Sequence, residues 1–296
     1  MSSRWILAPL VFLVATLFVG GDVHAASAHG VCKLANAPGK DFELKVPFDV
    51  VDGRIYVQAR VNGHGPYQFA VDTGASGWGR ADVTLVSALH LKTENQTTTS
   101  DGVQTARVAT VRFDSLELGG LSRKNLTVIA RDYDSRMSPD TAFSGIIGRE
   151  FFGDGLLIIN YPERTLSFSR KLALSPTEAH VLGYQRAFRV PVSIGSVQTE
   201  GNLDTGANVT FVLPKSLYKR VSDAPLQQAG RGRLTNSRIE TMRSMVRGPF
   251  RIGGVTLSNV PVRVSDHYPE LLIGAHALQH FVVMIDQRSK SIALCN

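Results

Sequence analysis

Two aspartates in this sequence lie in identical Asp-Thr-Gly-Ala turns, a setting in which carboxylates can perform acid–base chemistry. Asp72 follows an apolar segment that starts at Phe69, and Asp204 follows Leu203 in the second copy. Two carboxylates brought to within about 3 Å cannot both ionise, so one keeps its proton while the other acts as a base. Such a pair can deprotonate a water and hydrogen-bond a carbonyl together. The two turns therefore indicate hydrolysis without a covalent intermediate.

The two turns begin two copies of a longer repeat, which is hard to produce by chance. Each copy continues with a Gly-Gly turn, an Asn, an apolar pair before Gly, and two strand-like segments, in the same order. The matched stretches are 116–120 and 250–254, Asn125 and Asn259, 146–148 and 272–274, 156–160 and 282–286, and 165–166 and 291–292. A repeat of this length predicts one supersecondary plan used twice.

On these motifs the chain resembles the aspartic proteases of the pepsin and retropepsin superfamily, over roughly residues 42 to 296. Ala75 and Ala207 resemble the retropepsin form of the turn, whereas two copies in one chain resemble pepsin. The resemblance implies an all-β fold with two pseudo-symmetric lobes and a cleft between them. Because both copies lie in one chain, we expect a monomer.

The resemblance also implies roles for the residues of the two turns. Asp72 and Asp204 correspond to the catalytic pair. The residues that support the pair are Thr73, Gly74, Thr205 and Gly206, and those that pack against the turns are Ile147, Gly148, Ile273 and Gly274. The turn glycines let the backbone pass close to the carboxylates. The threonine hydroxyls would bond across the lobe junction, and the alternative is that they are ordinary β-branched strand residues.

The chain divides into four parts. Residues 1–25 are predicted to be a secretory signal peptide, because the apolar run Trp5–Gly20 follows Arg4 and precedes small residues, with cleavage after Ala25 or Ala28. The run is shorter than the about 20 residues of a membrane span, so we expect no stable span after cleavage. An uncleaved N-terminal anchor is the alternative. The other parts are the N-terminal lobe, 42–170, a linker, 171–182, and the C-terminal lobe, 183–296.

The cysteines and histidines predict one disulfide and no metal site. Cys32 and Cys295 lie near the two ends of the mature chain and are the only cysteines. In an exported protein such a pair predicts one bridge, and two unpaired buried thiols are the alternative. His276 and His280 are four residues apart, without an intervening Glu or a third ligand. We interpret them as helix-surface residues and expect neither a metal nor another cofactor.

Three segments after the first turn differ from the superfamily or leave a choice open. Gly77–Arg80 replaces the usual apolar residues, so no regular strand is expected there. The spacing within Arg80–Leu91 predicts the one longer helix of the first lobe. Lys92–Phe113 turns at Asp101-Gly102 and predicts a β-hairpin. This hairpin is either the flap over the cleft or a plain surface hairpin, and it lacks the flap tyrosine of pepsins.

The formal charge of +7 is concentrated in one segment. Between Lys215 and Arg251, nine Lys or Arg stand against Asp223 and Glu240, so the excess of seven equals the charge of the whole chain. The segment is either a solvated basic face or a lining of the cleft that favours acidic substrates. No nucleic-acid-binding module accompanies the charge, so nucleic acid is not an expected partner.

The sequence therefore predicts an exported aspartic endopeptidase, periplasmic or secreted, that acts on peptides or proteins. The alternative, from a different class, is an extracytoplasmic peptide-binding or assembly protein on the same fold with an idle pair of aspartates. The presence of both Asp72 and Asp204 favours the enzyme, whereas the unusual Gly77–Arg80 segment keeps the alternative open.

Overall fold

The computed structural model describes residues 30–133, 138, 141–186 and 188–296, in which the chain forms three β-sheets and short helices. The predicted signal peptide, residues 1–25, lies outside the described residues. An eight-stranded sheet builds lobe one, a nine-stranded sheet builds lobe two, and a six-stranded sheet takes strands from both. The prediction of an all-β fold with two lobes is confirmed. Across the described ranges, every helix is too short or too polar to cross a membrane.

The first half of the chain is mostly extended, because short apolar runs alternate with turn residues. Its strands and α-helix are β1 (Leu44–Pro47), β2 (Asp49–Val51), β3 (Arg54–Val61), β4 (His64–Val71), β5 (Gly79–Asp82), α1 (Val83–Ala88), β6 (Thr93–Ser100), β7 (Thr105–Leu118), β8 (Leu121–Arg131), β9 (Gly145–Ile147), β10 (Leu156–Asn160) and β11 (Thr165–Ser169). Short 3-10 helices cover Gly30–Asn36, Gly39–Asp41 and Arg149–Phe152.

The second half repeats this plan after the short strand β12. Its strands and helices are β12 (Leu182–Gly183), β13 (Arg189–Ile194), β14 (Val197–Asp204), β15 (Phe211–Pro214), α2 (Lys215–Val221), β16 (Gln227–Arg233), β17 (Arg238–Val246), β18 (Phe250–Ile252), β19 (Val255–Leu257), β20 (Val260–Ser265), β21 (Leu271–Gly274), α3 (Ala275–Leu278), β22 (Val282–Asp286) and β23 (Ser291–Cys295).

Each lobe holds its Asp-Thr-Gly turn with the same strand arrangement. In lobe one, β4 runs parallel to β9, and Val71 lies beside Ile147. In lobe two, β14 runs parallel to β21, and Leu203 lies beside Ile273. The other edges of β9 and β21 pair antiparallel with β5 and β15. The strand before each aspartate is therefore fixed by a neighbour that is itself central in its sheet.

The six-stranded sheet joins the two lobes. Its strand order is β1-β11-β10-β22-β23-β12, so the repeat-related strands β10 and β22 pair at the centre. They run antiparallel, with Leu157 beside Ile285 and Ile159 beside Val283. Every residue of both strands is buried. The two repeats thus share part of one core, which fixes the position of one lobe relative to the other.

A disulfide ties the N-terminal 3-10 helix to this shared sheet. Cys32 of the helix Gly30–Asn36 is bonded to Cys295, the last residue of β23, across a sequence separation of 263 residues. The neighbouring Val31 packs into a small apolar cluster with Leu174 and other residues of the sheet. The cysteines therefore form the predicted bridge and are not two free thiols.

The prediction that Gly77–Arg80 is irregular is wrong for Gly79 and Arg80, which begin a strand, whereas Gly77 and Trp78 form a bend. Strand β5 begins at Gly79 and lies between β8 and β9. A Cβ atom at Gly79 would lie 2.3 Å from the carbonyl oxygen of Ile146, so only glycine permits this close approach. The glycine therefore allows β5 to pair closely with β9, and the unusual composition does not mean that the strand is missing.

The helix predicted over Arg80–Leu91 is shorter than expected and begins three residues later. Arg80 belongs to β5, and α1 covers Val83–Ala88. Asp82 ends the strand and caps the helix, because its carboxylate accepts a hydrogen bond from the N–H of Thr84 at 2.8 Å. The apolar spacing indicated a helix correctly, but the capping aspartate sets where it starts.

Candidate active site

Each of the two aspartates is oriented by the backbone of its own turn. The N–H of Asp72 donates to the carbonyl of Ile147 at 3.1 Å, and its carboxylate accepts from the N–H of Ala75 at 3.0 Å. In lobe two, the N–H of Gly206 donates to the carboxylate of Asp204 at 2.8 Å. Backbone donors of this kind fix a carboxylate in one direction. Both side chains are therefore held in place before any substrate arrives.

The carboxylate of each lobe lies against the glycine of the opposite turn. A Cβ atom at Gly74 would lie 2.6 Å from Cγ of Asp204, and one at Gly206 would lie 2.4 Å from Cγ of Asp72. Both distances are shorter than the 3.0 Å below which real Cβ contacts essentially never fall. The two turns can meet only because both positions are glycine, and the meeting brings Asp72 and Asp204 into hydrogen-bonding contact.

The threonines of the two turns brace the lobes with four reciprocal hydrogen bonds. The N–H of Thr73 donates to Oγ1 of Thr205 at 3.0 Å, and the N–H of Thr205 donates to Oγ1 of Thr73 at 3.1 Å. The hydroxyl of Thr205 donates to the carbonyl of Val71 at 2.8 Å, and that of Thr73 to the carbonyl of Leu203 at 3.3 Å. Both threonines are buried. In this structure their hydroxyls bridge the lobes, which a plain strand residue would not do.

The apolar-Gly pairs of β9 and β21 pack directly behind the turns. Ile147 and Ile273 are fully buried in the main core. The N–H groups of Gly148 and Gly274 donate to carbonyls of the segments that follow the turns, at 3.0 and 2.9 Å. A Cβ atom at these glycines would lie 2.3 and 2.2 Å from a carbonyl oxygen. The Ile-Gly residues of β9 and β21 therefore fix the backbone that follows Asp72 and Asp204.

The two carboxylates hold one proton between them. Burial raises the pKa of Asp204 far above its ordinary value, and the negative charge of Asp72 and the hydrogen bond between the two carboxyls raise it further. Hydrogen bonds from the N–H groups of Gly206 and Ala207 oppose this rise without cancelling it. Asp204 therefore keeps its proton at pH values at which an ordinary carboxyl has lost it. The pair can supply an acid and a base at one place.

Each lobe presents a second, smaller apolar cluster beside its turn. Side chains alternate along a strand, so Ala70 and Ile146 face away from the core that holds Phe69 and Ile147. The lobe-one wall consists of Tyr56, Ala70, Ala75, Phe143 and Ile146, with Val51 and Tyr133 packed against it. The lobe-two wall consists of Val212, Ile239, Tyr268 and Leu272, with Ala207, Val209 and Leu234 packed against it. Because Ala75 and Ala207 belong to the turns, the two walls flank the paired carboxylates.

A tyrosine in each wall lies near one of the aspartates. Burial raises the pKa of Tyr133 to about 12, although the positive charges of Arg80 and Arg131 oppose the rise, and the charge of Asp72 adds to it. Burial also raises the pKa of Tyr268, and its proximity to Asp204 raises it further. Both phenols therefore stay protonated and can act as hydrogen-bond donors.

A further contact between the lobes was not indicated by the sequence. Nε of Arg54 donates to the carbonyl of Gly206 at 2.7 Å. The carboxylate of Asp52 accepts from the side-chain amide of Asn208 and lies 3.3 Å from Nε2 of His276. The turn between β2 and β3 is thus anchored on the lobe-two turn. In the sequence it carried only a turn signal, and no local pattern could have named its partners.

The hairpin predicted over Lys92–Phe113 exists and reaches the other lobe. Strands β6 and β7 form it, with residues 101–104 in the turn. The carboxylate of Asp101 accepts hydrogen bonds from the N–H of Asn236 at 2.7 Å and from the hydroxyl of Ser237 at 2.9 Å. Burial raises the pKa of Asp101, but hydrogen bonds from backbone N–H groups and from Ser237 outweigh burial and lower it. Both partners lie in the turn between β16 and β17, the corresponding hairpin of lobe two.

The side chain of Asn236 completes this contact. Its Nδ2 donates to the carbonyl of Thr99 at 3.1 Å and to that of Gln104 at 3.0 Å, while its Oδ1 accepts from Nη2 of Arg131 at 2.7 Å. We call the contacts between residues 99–104 and 236–237 the clasp. Below it, a Cβ atom at Gly102 would lie 3.8 Å from the ring of Tyr268, in the lobe-two wall. The hairpins therefore meet above the cleft.

The basic segment between Lys215 and Arg251 is a solvated face in this structure. Eight of its nine basic residues are exposed, and the half-buried Lys215 pairs with Asp266 at 2.9 Å. On β17, the exposed Arg238 and Glu240 alternate with the buried Ile239 and Thr241, so the side chains of Arg238 and Glu240 face away from the lobe-two wall. Arg233 and Arg231 pair with them across β16 and lie on the same outer face.

The predicted histidines do not form a metal site with each other. His276 lies in α3 and faces Asp52, whereas His280 follows the end of that helix. Within the part of the chain that the structure describes, no three His, Cys, Asp or Glu side chains are grouped to hold a metal ion.

Two β-lobes that contribute one aspartate each to a pair braced by threonines define the class of the aspartic proteases. A family model described as aspartyl protease matches residues 57–151 and again residues 190–277, one match in each lobe. These matches cover more than half of the chain and contain both Asp72 and Asp204, so the chain belongs to the aspartyl protease family. No protein in the curated set matches the chain as a relative.

The raised pKa of Asp204 predicts how stability changes with pH. Above the ordinary carboxyl pKa of about 3.9, the unfolded chain has released a proton that folded Asp204 still holds, so the folded state loses stability as pH rises. Asp204→Asn removes this proton. We expect the melting temperature of the variant, relative to the wild type, to rise with pH between about 4 and 8, on the order of 2 °C per pH unit.

Thermal unfolding at a series of pH values measures this difference. Asp49→Asn is the matched control, because Asp49 is an exposed strand residue and its substitution should give a difference that is flat with pH. A flat difference for Asp204→Asn as well would contradict the raised pKa.

The clasp predicts that the two hairpin tips protect each other from hydrogen exchange. Asn236→Ala removes the hydrogen bonds that its amide makes to Thr99, Gln104 and Arg131. Hydrogen–deuterium exchange should then become faster, by on the order of a hundredfold, in peptides that cover 99–104 and 234–238, because three lost bonds of about 1 kcal/mol each contribute about 3 kcal/mol. Asn95→Ala, on an exposed site of the same hairpin, should leave both tips unchanged. Unaltered exchange at the tips of the Asn236 variant would show that they do not hold each other.

Proposed function

We propose that the protein is an exported aspartic endopeptidase. The observation that carries the proposal is the contact between two carboxylates, one from each lobe, which together with burial raises the pKa of Asp204. An ionised and a protonated carboxyl side by side are the two groups that hydrolysis of a peptide bond needs. The family membership of the chain supports the same conclusion.

The chemistry uses two protons, the one that the carboxyl pair holds and one that the attacking water gives up. Asp72 removes a proton from a water, the water oxygen attacks the carbonyl carbon of the peptide bond, and Asp204 gives its proton to the carbonyl oxygen. When the carbon–nitrogen bond of the resulting diol breaks, Asp72 passes its proton to the leaving nitrogen. One hydroxyl of the diol returns a proton to Asp204. The pair ends with one proton, as it began, and no bond to the protein forms.

The walls favour a peptide with apolar side chains near the cleaved bond. Both walls are built from aliphatic and aromatic residues beside the aspartates, and burying apolar substrate groups there contributes about 25 cal/mol per Å². The clasp covers the cleft from above, so an extended peptide fits the space better than a folded domain does. Opening of the hairpins would precede the binding of a long substrate.

Export and the monomeric state belong to the same proposal. The disulfide between Cys32 and Cys295 supports an oxidising compartment, periplasmic or extracellular, as does the signal-like segment 1–25. One chain contains both halves of the site, which supports a working monomer. The segment Gly77–Arg80 no longer supports the non-catalytic alternative, because a regular strand begins at Gly79.

The proposal predicts that either aspartate alone is insufficient. Asp72→Asn and Asp204→Asn should each reduce turnover of a mixed peptide library at least about a thousandfold. The two aspartates act as one catalytic unit, so the loss of either removes nearly all activity. Both variants should remain folded by circular dichroism, and the control Asp49→Asn should keep full activity. Substantial turnover in either folded variant would contradict the aspartic mechanism.

Mixing the two inactive variants tests whether one chain suffices. A mixture of Asp72→Asn and Asp204→Asn should stay inactive, and the specific activity of the wild type should not change on dilution, because no association step precedes catalysis. Recovered activity in the mixture would mean that the pair forms between chains. A wild type that binds peptides without cleaving them would favour the binding-protein alternative.

A further inference from the structure

The two walls differ at one equivalent position, where lobe one has a cation. Arg80 lies eight residues after Asp72, and Val212 lies eight residues after Asp204. Arg80 is paired with Ile146 across β5 and β9, as Val212 is paired with Leu272 across β15 and β21. Residues paired across antiparallel strands lie on the same face of the sheet. Arg80 therefore belongs to the lobe-one wall, at the place that valine fills in the lobe-two wall.

The guanidinium of Arg80 is held beside the first turn. Its Nη1 donates to the carbonyl of Ser76 at 2.6 Å and to that of Gly79 at 3.0 Å. Ser76 directly follows Ala75, which is itself part of the wall and bonds Asp72. These two bonds fix the group between the turn and the start of β5. The cation is thus held against the backbone that follows the Asp72 turn and is not free to move into bulk solvent.

The charge of Arg80 has no carboxylate partner among the residues that the structure describes. Only 7% of the residue is exposed, yet no ion pair within 4.0 Å is formed there, and Nε and Nη2 have no hydrogen-bond acceptor in the described ranges. A buried cation without a partner is costly, and a guanidinium fork fits a carboxylate with two parallel hydrogen bonds. The site is therefore suited to bind a carboxylate.

We propose that Arg80 binds a carboxylate of the substrate peptide, so that the enzyme prefers an acidic group next to apolar residues close to the cleaved bond. This inference rests on the proposed function of the same cleft. The basic segment between Lys215 and Arg251 is a different feature, because eight of its nine basic residues are exposed to solvent, whereas Arg80 is buried. The carboxylate is either an Asp or Glu side chain or the free C-terminus of the peptide.

Binding of uncleavable peptides tests the preference without requiring turnover. Peptides with a reduced amide in place of the scissile bond, and with apolar residues that suit the walls, are compared in Glu and Gln versions at each position near that bond, all with amidated C-termini. A second set carries Gln and a free C-terminus. By calorimetry at low salt, about pH 6, one carboxylate position should bind the wild type roughly tenfold more tightly than its neutral counterpart.

The variants assign the preference to Arg80. Arg80→Val, which introduces the residue of lobe two, should remove the tenfold difference between the charged and neutral peptides, while Arg80→Lys should keep part of it. Arg251→Val, an exposed arginine on the outer strand β18, is the control and should keep all of it. A gain in the Glu set assigns the carboxylate to a side chain, and a gain only in the free-terminus set assigns it to the C-terminus.

The inference is overturned if the wild type binds every charged and neutral pair equally, or if Arg80→Val keeps the difference. The comparison of charged and neutral peptides in binding to the wild type tests the inference even if a variant fails to fold. Turnover of the matching cleavable peptides is measured separately. Absence of any cleavage would refute the proposed function, whereas cleavage without a carboxylate preference in binding would refute only the role of Arg80.

Discussion

The contact of each carboxylate with the glycine of the opposite turn is the constraint on which the rest of the structure depends. Any side chain at Gly74 or Gly206 would begin less than 3 Å from the facing aspartate, so the lobes can approach only at these two glycines. The reciprocal threonine bonds then hold the turns at that separation. At this distance the two charges cannot coexist in a buried site, so the pair retains a proton.

The six-stranded sheet and the clasp hold the two Asp-Thr-Gly turns together from opposite sides. The paired central strands β10 and β22 fix the lobes from below, and the clasp joins the hairpin tips on the other side of the pair. The symmetry of the repeat ends at the residues that face the cleft. Arg54 of lobe one donates a hydrogen bond to the lobe-two turn, and Arg80 stands in the lobe-one wall at the place that valine fills in the lobe-two wall. The scaffold is therefore duplicated, whereas the surface offered to a substrate is not.

Much of the fold and the members of the candidate site could be predicted from the sequence, because the repeat places the same short motifs twice in the same order. The hairpin followed from a local turn signal, and the disulfide followed from the presence of only two cysteines in the sequence. The roles of Gly79 and Asp52 could not be foreseen, since they depend on the carbonyl of Ile146 and on Asn208, which are distant in sequence. The clasp escaped prediction for the same reason, because no local signal joins Asp101 to Asn236.

The shared proton is tested most directly by nuclear magnetic resonance titration of protein with carbon-13 in its aspartate carboxyl groups. One carboxyl of the wild type should titrate far above the ordinary value of about 3.9, and the Asp204→Asn variant should lack that signal. In Asp72→Asn the pKa of this group should fall, because the charge of Asp72 is gone, and stay above the ordinary value, because burial remains. Two wild-type carboxyls that titrate independently in the ordinary range would contradict the account.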